Sequence, residues 1–139
     1  MKKANVATET KKTRLTTNSK IIKVIIKAIQ DKKGEEIISI NLKKIPEAVA
    51  DFFIICEANN PQLVKAIADN VEKEVKLQCG EGPYKFEGKS GDKWILIDYV
   101  DVVVHCMMAD MRGFYNLEDL WQDAEQKKHE EILLTKKLD

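Results

Sequence analysis

Trp94-Ile-Leu-Ile-Asp-Tyr-Val-Asp-Val-Val-Val-His-Cys-Met107 is the stretch whose reading decides the architecture. It parts at Val100-Asp101 into two short runs, Trp94–Tyr99 and Val102–Met107, rich in β-branched and aromatic residues. They read as neighbouring antiparallel strands. In the first, alternation puts Trp94, Leu96 and Asp98 on one face and Ile95, Ile97 and Tyr99 on the other. A face that displays Trp, an apolar residue and a carboxylate offers a rigid anchor and an orienting charge, as the centre of an interface does. Trp94 plugging a core edge is the equal alternative.

Upstream, Gly82-Pro83 precedes a short strand around Tyr84–Phe86, and Gly88–Asp92 supplies a turn. Before these, Asn59, Asn60 and Pro61 offer a cap and a preset first helical turn, with Gln62 placed to close a capping box. Leu63, Ile67, Val71 and Val75 carry the apolar stripe of that helix, which should end near Cys79 and Gly80. Earlier still, Glu36–Leu42 and Phe52–Cys56 read as strands, the second apolar on both faces and so central, with Ile45–Asp51 turning between them. An amphipathic helix opens at Asn18 or Ser19, repeats Ile21, Ile25, Ala28 and Ile29, and stops at Gly34. Downstream, Leu117, Leu120, Trp121 and Ala124 make a helical stripe that leads into charged residues. This order gives an α/β fold, a mixed β-sheet of about five strands flanked by helices. The expected organisation is a basic flexible tail over 1–18, an α/β domain over 19–124 and a charged C-terminal helix over 125–139.

The 139 residues, 44% of them hydrophobic, suffice for one core. The 23 basic and 23 acidic residues cancel, but not evenly along the chain. Residues 1–20 hold six basic side chains against Glu9 alone, leaving 17 basic and 22 acidic in the body. An acidic body is poorly suited to wrapping duplex nucleic acid and better suited to a basic protein. Cys56, Cys79 and Cys106 form no CxxC pair, so neither a disulfide framework nor a zinc knuckle is indicated, and a cytoplasmic location fits. Lys23 and Lys27 interrupt the first apolar run, which excludes it as a signal-peptide core or membrane span. The acid-poor, Thr- and Lys-rich start leaves a transit peptide open.

Asp98 and Asp101 invite a magnesium reading, since paired carboxylates can hold that ion for phosphoryl transfer. Residues three apart on an extended strand face opposite ways, although a turn intervenes here. No phosphate cradle accompanies them: Gly80 and Gly82 flank the acidic Glu81, and no GxxxxGK[ST] pattern exists. A magnesium-dependent nucleotidyltransferase-like enzyme using Asp98 and Asp101 is therefore the alternative reading, behind turn-capping or partner-binding aspartates. His105 beside Cys106 resembles a thiol with its base, but adjacent strand residues point apart, and Cys56 reads as a small buried hydrophobe. His105 itself reads as structural, or as a polar group on a binding face. With only His105 and His129 in the chain, a zinc site is not expected. No cofactor, metal or catalytic residue is assigned.

The run Trp94–His105, then Arg112, then Phe114-Tyr-Asn-Leu-Glu-Asp-Leu-Trp121, closely resembles the ribosomal silencing factor family, also called Iojap-like proteins. Asp51–Cys56, the Gln62–Asp69 helix start and Glu87-Gly88 follow the same pattern in order, so the resemblance spans roughly residues 20–124. It implies a fold similar to that of nucleotidyltransferases without their catalytic site. It also implies a non-enzymatic translation repressor that binds the large ribosomal subunit at its fourteenth protein and blocks joining of the small subunit. The family's characteristic polar and aromatic positions fall on Trp94, Asp98, Tyr99, Asp101, His105 and Tyr115, which are expected to line the docking face, the two aspartates meeting basic groups. The basic tail is a candidate for touching ribosomal RNA, and a homodimer is left open. No membrane contact is expected. Two departures stand out. Val100 occupies a position where the family usually has glycine, so a differently shaped turn is expected there. Glu57 and two asparagines replace a small-residue loop, which puts contacts near them in question.

Overall fold

The structure, a computed structural model, describes residues 14–129. Residues 1–13 of the expected tail and residues 130–139 of the expected C-terminal helix lie outside them. Helix α1 (Lys20–Asp31) buries Ile21, Ile22, Val24, Ile25, Ala28 and Ile29 while Lys20, Lys23 and Lys27 stay exposed, as an amphipathic helix on a sheet must. Strand β1 (Glu35–Asn41) follows, then β2 (Phe52–Ala58), whose burial on both faces marks a central strand. Helix α2 (Pro61–Cys79) starts on Asn60, whose side chain accepts from the Leu63 N–H at 2.7 Å, and ends on Gly80 at φ +71°. Because Asn60 is the cap, the third helical position is Leu63, and Gln62 sits one residue short of the expected capping box.

Strands β3 (Lys85–Lys89), β4 (Trp94–Asp98) and β5 (Val102–Met108) come next, then the short helices α3 (Ala109–Tyr115) and α4 (Leu117–Leu120) and strand β6 (Glu125–His129). The six strands stand in the order β3-β4-β5-β2-β1-β6, antiparallel except for the parallel pair β5 and β2. The mixed α/β sheet is as expected, with one strand more. That strand corrects the reading of 125–129 as helix. Glu125–His129 carries no apolar stripe to bury as a helix, whereas the outer edge of β1 has backbone donors and acceptors that need partners. Pairing with β1 satisfies them, and Ser39 Oγ bonds His129 Nε2 at 2.8 Å across the seam.

Two cores form. On one face α1 and α2 cover Ile54, Ile95, Ile97, Val104 and Cys106. On the other, Ile40, Leu42, Ile55 and Met107 meet Met111, Leu117 and Trp121 from the α3–α4 segment. Arg112 fastens that segment to the sheet. Only 7% exposed, it donates to the Glu36 carbonyl at 2.7 Å and pairs with Glu57 at 3.2 Å and Glu118 at 2.8 Å. Glu57, set apart above as a departure, thus lies within β2 as a partner of Arg112. Since α3 packs on β5 and β2, the same face of β3 and β4 is left largely open.

Candidate docking face

Strand register assembles the open face. Leu96 lies opposite Glu87 on β3 and His105 on β5, while Asp98 lies opposite Lys85 and Val103. Phe53 on β2 continues the second row beyond Val103. Trp94 tops the face, half-buried. Its Nε1–H donates to His105 Nδ1 at 3.1 Å, its ring centroid stands 4.8 Å from that of Tyr115, and the Lys89 ammonium lies 5.2 Å above it. Phe114, 79% exposed, meets Tyr115 edge-on at 4.9 Å. Trp94, Tyr115 and Phe114 therefore form an aromatic lip that borders Leu96, Val103 and Phe53. The Phe114-Tyr115 pair was legible in the sequence as adjacent aromatics, but nothing local marked Phe114 as part of the face.

His105 is placed one layer below the surface and does not line the face as expected. It is 4% exposed, with its ring 4.7 Å from Phe53 and 5.9 Å from Trp94. Because Nδ1 accepts from Trp94, the proton of the neutral ring is assigned to Nε2, which is buried without a partner. Burial, helped by Lys89, lowers its pKa to about 4, so the ring is neutral at pH 7. The unfolded chain takes up this proton below pH about 6.5 and the folded chain only near 4, so stability is full above 6.5 and falls as pH drops through that window. Urea unfolding at pH 5 is expected to show a loss of about 2 kcal/mol against pH 7 from this group, and H105Q should remove that part of the dependence.

Tyr99 is a clear correction. It is 6% exposed and packs in the helix-covered core, on the face it shares with Ile95 and Ile97 by alternation. Burial, then the nearby Glu72 and Glu81, raises its hydroxyl above the usual phenol range.

Asp98 sits on the open face, and its Oδ1 accepts from the Val100 N–H at 2.7 Å, capping the turn. Asp101 is exposed beyond it; its N–H donates to the Tyr99 carbonyl at 2.9 Å, closing a three-residue turn centred on Val100 at φ +76°. Valine here holds a positive φ that glycine would adopt freely. Its strain is unrelieved because Val100 is 58% exposed and packs on little. V100G is expected to raise stability by about 1 kcal/mol in chemical denaturation, the relieved strain exceeding the added chain entropy.

Cys106 turns to the helix side, away from His105, and lies in register with the equally buried Cys56. A hydrogen bond with Cys56 and burial both raise the Cys106 thiol, opposite to what a nucleophile needs. Among the described residues, no three carboxylate, thiol or imidazole groups gather closely enough to hold a metal ion. No helix among them is long and apolar enough to cross a membrane.

The chain is similar in sequence and fold to known proteins. The family model described as "Ribosomal silencing factor during starvation" matches residues 15–138, which takes the likeness through β6 and well past residue 124. A ribosomal silencing factor of Halalkalibacterium halodurans is 41% identical over 108 residues, 78% of this chain and 91% of that protein. A mouse protein named "Mitochondrial assembly of ribosomal large subunit protein 1" is 36% identical over 73 residues, 51% of this chain and 32% of its own length. A crystal structure of a Chromobacterium violaceum protein superposes with a TM-score of 0.69 at 33% identity, covering 73% of this chain and 83% of that one. With the fold, the family match and the relatives' identity in agreement, the chain belongs to the ribosomal silencing factor family.

Proposed function

We propose that this protein docks on the large ribosomal subunit, at its fourteenth protein, and sterically blocks joining of the small subunit, repressing translation in the cytoplasm. The observation that carries the reading is the open half-face of β3–β5. There a packed sheet leaves Leu96 and an aromatic lip of Trp94, Phe114 and Tyr115 without a covering helix, beside Phe53, which Trp121 meets edge-on. A clustered aromatic and aliphatic surface rimmed by charge is the composition of an interface centre. On this reading Asp98 and Asp101, at the turn end, meet basic groups on the partner, and His105 supports Trp94 from beneath. Family membership supports the ribosome as the partner, and the name of the mouse relative supports the large subunit. An interface of standard size, roughly 1,600 Å², reaches nanomolar to micromolar affinity without making or breaking a bond. The test is co-sedimentation of the purified protein with isolated large subunits and, separately, small subunits. Selective recovery with large subunits is expected; recovery with neither would sink the proposal.

A further inference from the structure

The far edge of the sheet carries a second surface, of opposite character to the open face. Strand β6 and helix α1 enclose a groove of about 500 Å³ lined by Lys23 and Lys27 from the helix and Lys127 and Lys128 from the strand, with Asn18 and His129 between them. Among the described residues no carboxylate lines it. A smaller cavity of about 340 Å³ adjoins it through the shared residues Thr17 and Lys127 and extends the trough to Lys43, with Glu125 its one acid. Lys23, Lys27, Lys127 and Lys128 are all exposed; Lys127, in register with Ser39, turns to the helix side, and Lys128, in register with Ile38, borders the groove at the strand's other face. Of these, Lys27 has a counter-charge in Asp31, at 2.9 Å across an exposed pair that solvent weakens. The chain upstream of the trough carries four more lysines, Lys2, Lys3, Lys11 and Lys12. A body that is acidic overall thus concentrates ammonium groups at one edge, around a channel whose walls also include Ile26.

Lysines on an edge strand also serve to block strand addition by another molecule. That accounts for Lys127 and Lys128. It does not account for Lys23 and Lys27, which sit on a helix and face the same groove. Convergence from two separate elements is what a phosphate-bearing ligand requires, since like charges held together repel one another until an anion neutralises them.

We propose that the α1–β6 trough binds the phosphodiester backbone of RNA, and that on the ribosome it grips ribosomal RNA beside the docking site. The second half of this statement rests on the docking reading above. RNA is preferred over an acidic protein because ammonium groups from a helix and a strand converge on one long trough, an arrangement suited to sequence-independent phosphate contact. The trough lies at the opposite end of the strand order from β3 and β4, so both surfaces can be engaged at once.

The test uses the full-length protein and a variant with K23Q, K27Q, K127Q and K128Q, checked for an unchanged circular dichroism spectrum. Binding to a short single-stranded RNA of mixed sequence, and to isolated large subunits, is measured across a series of salt concentrations. The slope of log affinity against log salt should shrink by about 0.7 to 0.9 for each lysine lost, about three in all, and replacing the same four lysines by arginine should restore it. W94A should keep the wild-type slope for RNA. An unchanged slope in the four-glutamine variant overturns the proposal. So does a loss of binding to polyglutamate or to anionic vesicles with none for RNA, or a change confined to self-association, which would leave the lysines as guards of a sheet edge. The two readings fail separately. RNA binding lost in the variant while large subunits are ignored by wild type sinks docking and keeps the trough as an RNA site. Tight subunit binding with an unaltered slope sinks the trough and keeps docking.

Discussion

W94A is expected to weaken binding to the large ribosomal subunit by about a hundredfold while the protein stays folded. Three contacts converge on this indole: the hydrogen bond to His105, the tilted ring contact with Tyr115 and the Lys89 ammonium above its ring. Each holds the ring in place before a partner arrives, so little side-chain freedom is left to lose on docking. Truncating a preorganised aromatic at an interface centre commonly costs 2 kcal/mol or more, and about 2.7 kcal/mol is a hundredfold in affinity. The effect on folding is smaller because Trp94 is half-buried at the edge of the second core and its removal opens no enclosed cavity. Isothermal titration or sedimentation against purified large subunits measures the first quantity, and urea unfolding the second. Affinity unchanged within threefold in a folded W94A protein would remove the aromatic lip from the interface.

R112M is expected to destabilise the fold by about 3 kcal/mol. The guanidinium ties Glu57 on β2, the Glu36 carbonyl and Glu118 on α4 together. Removing it leaves two carboxylates, each about a quarter exposed, facing each other without their shared cation, and a carbonyl without its donor. Their partial exposure keeps the cost below that of a fully buried pair. Because α3 carries both Phe114 and Tyr115, loosening this tie should also weaken docking. R112K keeps the charge but not the planar fork that reaches three acceptors, and should fall between wild type and R112M. Urea midpoints of the three proteins, at unchanged m-value, check the order.

The parts of the fold that were legible are those where burial imposes a period. Alternation along Trp94–Asp98 separated an open face from a core face, and the stripes of α1 and α2 named their buried sides. Strand β6 was not legible because Glu125–His129 is polar throughout, and its strand state is decided by the edge of β1 rather than by its own residues. The α1–β6 trough was hidden for the same reason: Lys127 and Lys128 meet Lys23 and Lys27 only once that pairing is known. On the open side of β4, Trp94 meets Tyr115 at one end while Asp98 lies at the turn end with Asp101 exposed beyond it. Tyr99 lies in the helix-covered core instead, and its own alternation with Ile95 and Ile97 had already set it apart. His105 shares the face by register but is roofed by Trp94 and Phe53, neighbours that depend on pairing across strands. The Arg112 tie spans 55 and 76 residues of sequence, beyond the reach of any local pattern.

Light scattering of purified ribosomal subunits, mixed at a magnesium concentration that favours joining, measures the central claim directly. Wild-type protein preincubated with large subunits should suppress the joining signal in proportion to the large subunits occupied, and W94A and D98A at the same concentration should leave it intact. Full joining with every large subunit demonstrably occupied by wild-type protein would contradict steric silencing through this face.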